Sequence, residues 1–211
     1  VTGVTVRLVR KADAVRTMLV IFNRLEDATN TVMDIIGAGI VPAAMELMDQ
    51  VIVGAVESGL KLGLPTDAEA ILIIELDGVE AGLDEMMDKV VEFCDKNNVR
   101  EIKRAQTAEE RLALWQGRKR SFGCIGKLSR AFVCEDGVVP RTRLSEIIRK
   151  IRAISEKNNI RIAIIAHAGD GSLHPILLYD ERDPDEIRRM IQSSEETIEA
   201  CLDLDGSVTG E

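Results

Sequence analysis

Both histidines of the chain, His167 and His174, lie in one short segment that reads His-Ala-Gly-Asp-Gly-Ser-Leu-His. Apolar runs at Ile160–Ala166 and Pro175–Tyr179 flank it, and its Asp-Gly pair favours a tight turn. Two strands joined in this way would bring both imidazoles to the mouth of one hairpin. Because neutral imidazole is the commonest metal ligand, the segment indicates a seat for a metal ion or an acidic substrate. The alternative is two histidines that each satisfy a backbone carbonyl.

Two histidines do not complete a metal site, and a third ligand, most simply a carboxylate, must come from elsewhere. Glu211 is one candidate, at the end of the segment Gly-Ser-Val-Thr-Gly-Glu. Glu46 and Glu75 are unusual because each lies inside an apolar, strand-like run. The alternative for these glutamates is solvation, either at the chain end or on an open face of the sheet.

A cationic stretch broken by glycines runs from Trp115 to Lys127 in an otherwise acidic chain. A guanidinium binds a carboxylate through two parallel hydrogen bonds and keeps its charge, so Arg118 or Lys127 could hold an acidic substrate. A solvated, charged helix face is the alternative. The stretch contains neither GxGxxG nor a P-loop, so a nucleotide site here is not supported.

Composition narrows the class of protein. The chain has 211 residues, of which 45% are hydrophobic and only 3% aromatic, and its net charge is -9. An acidic chain with few aromatic residues is a poor nucleic-acid binder, so we expect no nucleic-acid partner. The four cysteines, none in a CxxC pair, predict free thiols and a cytoplasmic protein, with Cys94 and Cys201 on buried helix faces. The sequence shows neither a membrane span nor a signal peptide.

Apolar runs and 3.6-residue stripes predict alternating strands and helices. The predicted strands are Val4–Val9, Met18–Phe22, Ala43–Leu47, Ala70–Leu76, Glu101–Ala105, Ala131–Glu135, Ile160–Ala166 and Pro175–Tyr179. The apolar stripes are Leu25/Ala28/Val32/Ile35/Ile36, Leu83/Met86/Met87/Val90/Val91/Cys94, Leu144/Ile147/Ile148/Ile151/Ile154 and Ile187/Met190/Ile191/Ile198/Cys201/Leu202. Capping signals at Thr107 and Asp183 open two helices, the first of which carries Trp115.

This order predicts an α+β fold, a ferredoxin-like α/β sandwich with a largely antiparallel sheet and helices on one face. We expect residues 1–211 to form one domain, built from two similar halves. Because the chain begins almost at once in a strand-like run and ends in a turn-rich segment, we expect it to be a fragment of a longer protein.

The segment from His167 to Pro175 resembles the HAGDGN(L/M)HP signature of FAD-linked oxidases of the vanillyl-alcohol-oxidase type, in their C-terminal, substrate-side domain. Within that family it is most similar to the flavoprotein subunits of glycolate oxidases. The resemblance spans the whole chain. Further matching segments are Gly39–Asp49, Asp67–Gly78, Leu114–Lys119, Cys134–Pro140 and Gly206–Glu211.

The resemblance implies oxidation of a 2-hydroxy acid such as glycolate or D-lactate to a 2-oxo acid, with hydride transfer to FAD. It implies a divalent ion (zinc, manganese or iron) held by His167, His174 and Glu211. Arg118 matches the arginine that binds the substrate carboxylate, and Lys127 falls near a further cationic position. The family's proposed base is a histidine that follows Glu211, so no catalytic residue is assigned within the chain. This fragment should be inactive alone.

Further expectations concern partners. The resemblance implies an N-terminal FAD-binding domain that this chain lacks, a C-terminal end cut short, an iron–sulfur partner subunit and assembly into a homo-oligomer. The expected location is the cytoplasm, with peripheral attachment to the inner membrane in such a complex. One departure from the signature is Ser172, where relatives have asparagine, so one contact near the site should differ.

Two other function classes stay open at this stage. One is a non-catalytic α+β regulatory module that binds a metal or small ligand, and the other is a structural subunit that only docks a partner. Flavin absorbance of the complete protein would separate both of these from an oxidase.

Overall fold

The computed structural model describes residues 2–8 and 11–208. The strands in this part of the chain are β1 (Ala14–Phe22), β2 (Ala44–Asp49), β3 (Ala70–Gly78), β4 (Glu101–Arg104), β5 (Ala131–Cys134), β6 (Gly137–Val138), β7 (Arg161–His167), β8 (Ser172–Tyr179) and β9 (Ser207–Val208). The α-helices are α1 (Leu25–Gly37), α2 (Gln50–Leu60), α3 (Leu83–Lys96), α4 (Ala108–Lys119), α5 (Ser121–Ile125), α6 (Leu144–Asn158) and α7 (Pro184–Leu202). A single 3-10 turn, Arg141–Arg143, precedes α6.

The strands form one sheet in the order β4-β1-β3-β2-β7-β8-β6-β9, with β5 also paired to β8. All the pairings are antiparallel. Counted from its outer edge, the first half of the sheet runs fourth strand, first, third, second, and the second half follows the same order when β5 and β6 are counted as one interrupted strand. This is the order of a ferredoxin-like unit. The predicted α+β class and the two similar halves are therefore confirmed. The halves meet where β2 pairs with β7.

One face of the sheet carries the larger core. Alternate strand residues such as Val20, Leu72 and Ile164 pack there beneath α1, α3, α6 and α7. These four helices are the ones whose apolar stripes were predicted from the sequence. Met86 of the α3 stripe and Ile191 and Leu202 of the α7 stripe are exceptions, since all three are exposed.

The other face is also covered, which corrects the expectation of helices on one face only. The intervening strand residues, including Ile21, Ile73 and Ile165, pack against α2, α4 and α5. The sequence pattern gave no stripe for α2 because it is apolar on most sides and contains two glycines. Helix α4 gave none because its buried residues are only Gly117 and Arg118.

The expected first strand, Val4–Val9, is wrong as far as the structure describes it. Residues 4–8 form no strand, and Val4, Val6 and Leu8 are 73%, 66% and 88% exposed, while position 9 lies outside the described residues. Alternating apolar residues are not sufficient, because a strand also needs a neighbour for its backbone hydrogen bonds. The first strand instead begins at Ala14.

The predicted helix boundaries are confirmed where polar caps mark them. The Thr107 hydroxyl accepts a hydrogen bond from the N–H of Glu110 at the start of α4. The Asp183 carboxylate accepts two backbone bonds at the start of α7. At the end of α6, Asn159 takes the left-handed conformation with φ 49°.

The four cysteines are free thiols, as predicted, and Cys94 and Cys201 are buried. Burial raises the pKa of Cys94 to about 12 and that of Cys201 to about 11, so both stay protonated and unreactive. Within the described ranges no helix is both long and apolar enough to cross a lipid bilayer.

Candidate functional site

The hairpin predicted around the two histidines is formed by β7 and β8. His174 pairs with Ile165, and Ile165 shares a sheet face with His167 because the two are two residues apart in one strand. Both imidazoles therefore project from the face that α2, α4 and α5 cover. Their ring centroids lie 5.2 Å apart, with the ring planes at 88°. One hairpin does bring the two imidazoles together, as expected from the sequence.

The turn of this hairpin depends on Gly171. Its φ is +90°, and a Cβ at this position would lie 2.2 Å from the carbonyl oxygen of Val139. The N–H of Val139 donates to the Gly171 carbonyl at 3.1 Å, so the tip of the hairpin is docked against the segment that follows β6. Asp170 caps the turn by accepting the N–H of Ser172 at 2.9 Å. The second glycine of the motif is thus required by a close backbone approach.

Glu46 links His167 to Arg118. Glu46 and His167 are cross-strand partners in the β2–β7 ladder, and Oε1 of Glu46 lies 2.8 Å from Nδ1 of His167. Its other oxygen, Oε2, accepts a hydrogen bond from Nε of Arg118 at 2.8 Å. Glu46 is 7% and Arg118 9% exposed, so neither belongs to a solvated face. Burying either charge alone would be costly, and the pairing is what makes both positions tenable.

Helix α4 presents Arg118 to this site. Its first turn carries Glu109 and Glu110, and its last turn carries Arg118 and Lys119, which suits the helix dipole at both ends. Gly117 allows close approach to α2, because a Cβ there would lie 3.1 Å from Leu62 just beyond that helix and 3.6 Å from Val56 within it. Burial of the Arg118 stem follows from this contact.

The terminal nitrogens of Arg118 are left available. Throughout residues 2–8 and 11–208 they have no hydrogen-bond partner, and the only side-chain atom both buried and unpaired there is Oγ1 of Thr197. The two nitrogens therefore reach solvent. A guanidinium held through Nε can still form two parallel bonds to a carboxylate.

His174 is held by a different carboxylate. Oδ1 of Asp136, in the connection between β5 and β6, lies 2.6 Å from Nδ1 of His174. The Cys134 thiol is 3.9 Å from the same oxygen, so these three side chains could themselves group around an ion. Burial and the neighbouring carboxylates of Asp136 and Glu135 raise the pKa of Cys134 to about 12, so its thiol is protonated while no metal ion is bound. Asp136 is better interpreted as the partner that orients His174.

The two histidines fit a divalent ion. An ionised carboxylate only accepts hydrogen bonds, so a neutral imidazole beside it carries its proton on Nδ1 and leaves the Nε2 lone pair for a metal. Glu46 places His167 in this arrangement, and Asp136 faces Nδ1 of His174 in the same way. No hydrogen-bond partner of Nε2 of His167 occurs in the described part of the chain. Glu211, the third predicted ligand, lies outside the described residues.

Glu75, the other carboxylate noted in the sequence, has a different environment. Its oxygens accept two bonds from Arg111 and one each from Thr17 and Trp115, at 2.7–2.8 Å. Burial raises the pKa of Glu75, but these hydrogen bonds outweigh it and the pKa is lowered overall. With all these donors already engaged, Glu75 fastens α4 to β3.

Lys127 does not join this group. It is exposed beyond the end of α5, with its ammonium next to Gly59 of α2. No hydrogen bond or ion pair joins Lys127 to Glu46 or either histidine among the residues that the structure describes. Its role toward the substrate stays a prediction.

A cleft of about 480 Å³ opens beside Glu46 and His167 at the end of β2. Residues 41–45, Gly169, Asp170 and Arg141 form much of its remaining wall. The Arg141 guanidinium donates to the Gly169 carbonyl at 3.4 Å. The size suits a small molecule.

Comparison with known families decides which group this geometry belongs to. A family model described as the C-terminal domain of FAD linked oxidases matches residues 11–211. The chain belongs to this FAD-linked oxidase family. Fold, hairpin motif and family match therefore agree.

Three curated proteins are similar to this FAD-linked oxidase domain over its whole length. The glycolate oxidase subunit GlcD of Escherichia coli K12 is 38% identical over 210 residues, covering 100% of this chain and 42% of that protein. The subunit of the same name from Bacillus subtilis 168 is 37% identical over 211 residues, covering 100% and 45%. A probable mitochondrial D-lactate dehydrogenase of Danio rerio is 27% identical over 219 residues, covering 100% and 42%. The chain spans less than half the length of these relatives.

Solved structures support the fold at lower identity. A p-cresol methylhydroxylase with bound substrate aligns with a TM-score of 0.66 at 12% identity, covering 94% of this chain and 45% of the other. An alkyldihydroxyacetonephosphate synthase aligns with a TM-score of 0.65 at 12% identity, covering 94% and 41%. At this identity the likeness shows a shared fold and nothing about substrate.

Sequence reasoning missed several functional contacts of this FAD-linked oxidase domain. Asp136 was passed over although it lies in a matching segment, because nothing local to it signals a histidine partner. Arg111 and Trp115 lie four residues apart on α4, a spacing that puts them on one face, but their shared partner Glu75 comes from a distant strand. Solvent was the simple interpretation for Glu46, and it failed because the second sheet face is covered.

Proposed function

We propose that this chain is the C-terminal, substrate-side part of a flavin-dependent oxidoreductase that converts a 2-hydroxy acid, such as glycolate or D-lactate, to the 2-oxo acid. The observation that carries the proposal is Glu46, which holds a guanidinium and an imidazole together, with His174 5.2 Å from His167 between ring centroids. This arrangement suits a substrate with a carboxylate next to an oxidisable hydroxyl. The names of the relatives, glycolate oxidase and D-lactate dehydrogenase, support the same class.

In this proposal Arg118 binds the substrate carboxylate through its terminal nitrogens, because Glu46 already takes its Nε. His167 and His174, with Glu211, would hold the divalent ion. When bound, zinc, manganese or iron supplies a Lewis acid that lowers the pKa of the substrate hydroxyl. Arg118 and the histidines together fix the orientation of the carbon that is oxidised.

FAD, which the family implies, supplies a two-electron acceptor when bound. We assign no FAD-binding residue within this chain, since no phosphate-cradling glycine motif occurs in it. The group that removes the hydroxyl proton is proposed to follow Glu211 in the complete protein. Within the chain, the described residues therefore bind and orient the substrate.

The domain arrangement and the partners belong to the same proposal. Residues 1–211 form the substrate-side domain, which works together with an FAD-binding domain of the complete protein. An iron–sulfur subunit, a homo-oligomer and a cytoplasmic location with attachment at the inner membrane are further parts of it. Co-purification of the complete protein with its neighbours, followed by iron analysis, tests the subunit.

The central test uses the complete protein and replaces His167 or His174 by alanine. Reduction of an artificial acceptor dye is measured with a panel of 2-hydroxy acids, with and without chelator, and FAD content is read from absorbance. We expect both variants to lose turnover while FAD content stays at the wild-type level. Replacing exposed Lys119, the neighbour of Arg118, by alanine is the matched control and should leave turnover unchanged.

Two outcomes would contradict the proposal. Unchanged turnover in either histidine variant would remove the metal site from the mechanism. A complete protein without flavin absorbance would favour a non-catalytic, ligand-binding module instead.

A further inference from the structure

Glu46 lies between the imidazole of His167 and the guanidinium of Arg118. One of its oxygens faces Nδ1 of His167, and the other faces Nε of Arg118, each at 2.8 Å. Both partners project onward, His167 through Nε2 and Arg118 through its terminal nitrogens. The Glu46 carboxylate therefore contacts both His167, the proposed metal ligand, and Arg118, which is proposed to bind the substrate carboxylate.

The surroundings leave Glu46 little freedom to do anything else. Its backbone is fixed in the β2–β7 ladder directly opposite His167. Arg118 is fixed because α4 is fastened one and two turns earlier, through Trp115 and Arg111 to Glu75. Since both ends are anchored by separate contacts, the Glu46 carboxylate keeps both of its partners at once.

The chemical consequence lies in the proton of His167. Arg118 always donates and takes one carboxylate oxygen, so the other oxygen is offered to Nδ1 of the imidazole. An acceptor at Nδ1 requires a proton on Nδ1, and the neutral ring then has its lone pair on Nε2. The opposite tautomer would place a proton on Nε2 and exclude a metal ion from that atom.

We propose that Glu46 is a positioning residue that holds His167 in the Nδ1–H tautomer needed to bind a metal ion, with Arg118 keeping the carboxylate oriented for it. This inference rests on the proposed function in one respect, because it takes a metal ion as the ligand of Nε2. The tautomer itself is independent of activity and can be measured without substrate.

The test is Glu46→Gln in the complete protein. Glutamine nearly matches the shape of glutamate but offers an acceptor on one side and a donor on the other. Its oxygen must face the N–H of Arg118, because two facing donors would leave a buried group unsatisfied. The amide NH2 then faces Nδ1 of His167, which becomes an acceptor, and the ring proton moves to Nε2.

Two measurements follow, both on the metal-free protein. Nitrogen-15 NMR of labelled histidine reports which ring nitrogen carries the proton, with the His167 signal assigned by its loss in His167→Ala. We expect Nδ1–H in the wild type and Nε2–H in Glu46→Gln. Titration with Zn²⁺ against a chelating dye should show binding weakened by about 10–100-fold, the usual effect of losing an outer-shell carboxylate.

Two control variants separate positioning from general damage. Asp49→Asn removes the other buried carboxylate of β2, which accepts only backbone N–H groups, and it should leave the His167 tautomer and the zinc affinity unchanged. Glu46→Asp keeps two acceptor oxygens, so Nδ1–H should persist and zinc binding should be largely rescued. Equal loss of zinc binding in Glu46→Gln and Asp49→Asn would reduce Glu46 to a structural role and overturn the inference.

The wild-type tautomer is decisive even if Glu46→Gln does not fold. A wild-type His167 with its proton on Nε2 overturns the inference outright. Failure of the proposed function looks different, because the wild type would then show Nδ1–H but no oxidation of any 2-hydroxy acid. A wild type that shows Nδ1–H yet binds no Zn²⁺ overturns the role toward the metal.

Discussion

Glu46 and Glu75 are buried carboxylates on neighbouring strands, β2 and β3, and helix α4 contacts both. Glu75 accepts four hydrogen bonds, from Thr17, Arg111 and Trp115, and every donor that reaches it is used in holding the fold. Glu46 accepts one bond from Arg118 and faces one imidazole, and both of these groups keep hydrogen-bonding or ligating atoms directed elsewhere.

This difference distinguishes a candidate ligand-binding site from a cluster that only holds the fold together, although both lie in the same kind of environment. Burial and charge pairing are shared by the two clusters, so neither marks function here. What distinguishes them is the capacity left over after the internal bonds are made, since Arg118 keeps both terminal nitrogens and His167 keeps Nε2, whereas Arg111 already uses two of its three guanidinium nitrogens on Glu75. By that criterion the group around Glu46 is the candidate site, and the group around Glu75 supports it.

The strongest test of this comparison removes one arginine from the group around Glu46 and one from the group around Glu75. Arg118→Met should lower kcat/KM of the complete protein by on the order of 10²–10⁴-fold, since two charge-assisted hydrogen bonds to a substrate carboxylate contribute about 3–6 kcal/mol. Arg111→Met should change kcat/KM by less than tenfold, because Arg111 only fastens α4. Steady-state kinetics on folded variants checks this, and equal losses would show that the two clusters are not different in kind.

The hairpin that brings His167 to Glu46 can be tested through its two glycines. Gly171→Ala should destabilise the protein by about 2–4 kcal/mol, because the new Cβ meets a backbone oxygen and the positive φ strains alanine. Gly169→Ala is the matched control, since its Cβ would make ordinary contact with Met45 at 3.5 Å. Urea unfolding measures both, and a Gly171→Ala protein as stable as Gly169→Ala would remove the steric argument.

Replacing Glu75 should change the stability of the protein rather than its catalytic activity. The pKa of Glu75 in the folded protein lies below its unfolded value of about 4.3, so the unfolded chain binds more protons. The stabilisation is therefore present above a pH of about 4.3 and is lost as the pH falls through the folded pKa. Glu75→Gln should therefore cost about 1–3 kcal/mol near neutral pH, with the difference from wild type shrinking in acid. Unfolding free energies across an acid-to-neutral series test this. A pH-independent difference would contradict it.

Asp49 gives a pH dependence of the opposite sign. Burial raises its pKa to about 7, although the N–H groups of Ile52 and Ile164 donate to it. The folded state thus holds the extra proton, and this group makes stability fall as pH rises from about 4 to about 7, by at most ~1.4 kcal/mol per pH unit. Asp49→Asn should remove that component. The measurement is the difference in slope between wild type and variant, and parallel slopes would refute the assignment.

Much of the fold could be predicted because its signals are local. The stripe that includes Leu144 and Ile151, and the caps at Thr107 and Asp183, each depend on residues within a few turns of one another. The hairpin was predictable for the same reason, since His167 and His174 are joined by their own turn.

The rest depended on contacts between distant residues. Helix α2 has no apolar stripe, so no sequence pattern indicated that the second face of the sheet is covered. Once it is covered, Glu46 can no longer face solvent, and its partner Arg118 is 72 residues away. The pairing of Asp136 with His174 likewise spans 38 residues, a distance at which side-chain type says little about contact.

The β2–β7 ladder that joins the two halves of the sheet consists of the pairs Glu46↔His167, Leu47↔Ala166 and Met48↔Ile165. A slip of one residue along this short seam would turn His167 to the opposite face, into the apolar layer beneath α1 and α6. The complete candidate site, with Glu46 facing His167, therefore cannot exist in either half alone or in a misjoined pair. During folding, a rise in metal affinity of about 10–100-fold would signal that Glu46 has met His167 and that the halves have docked in register.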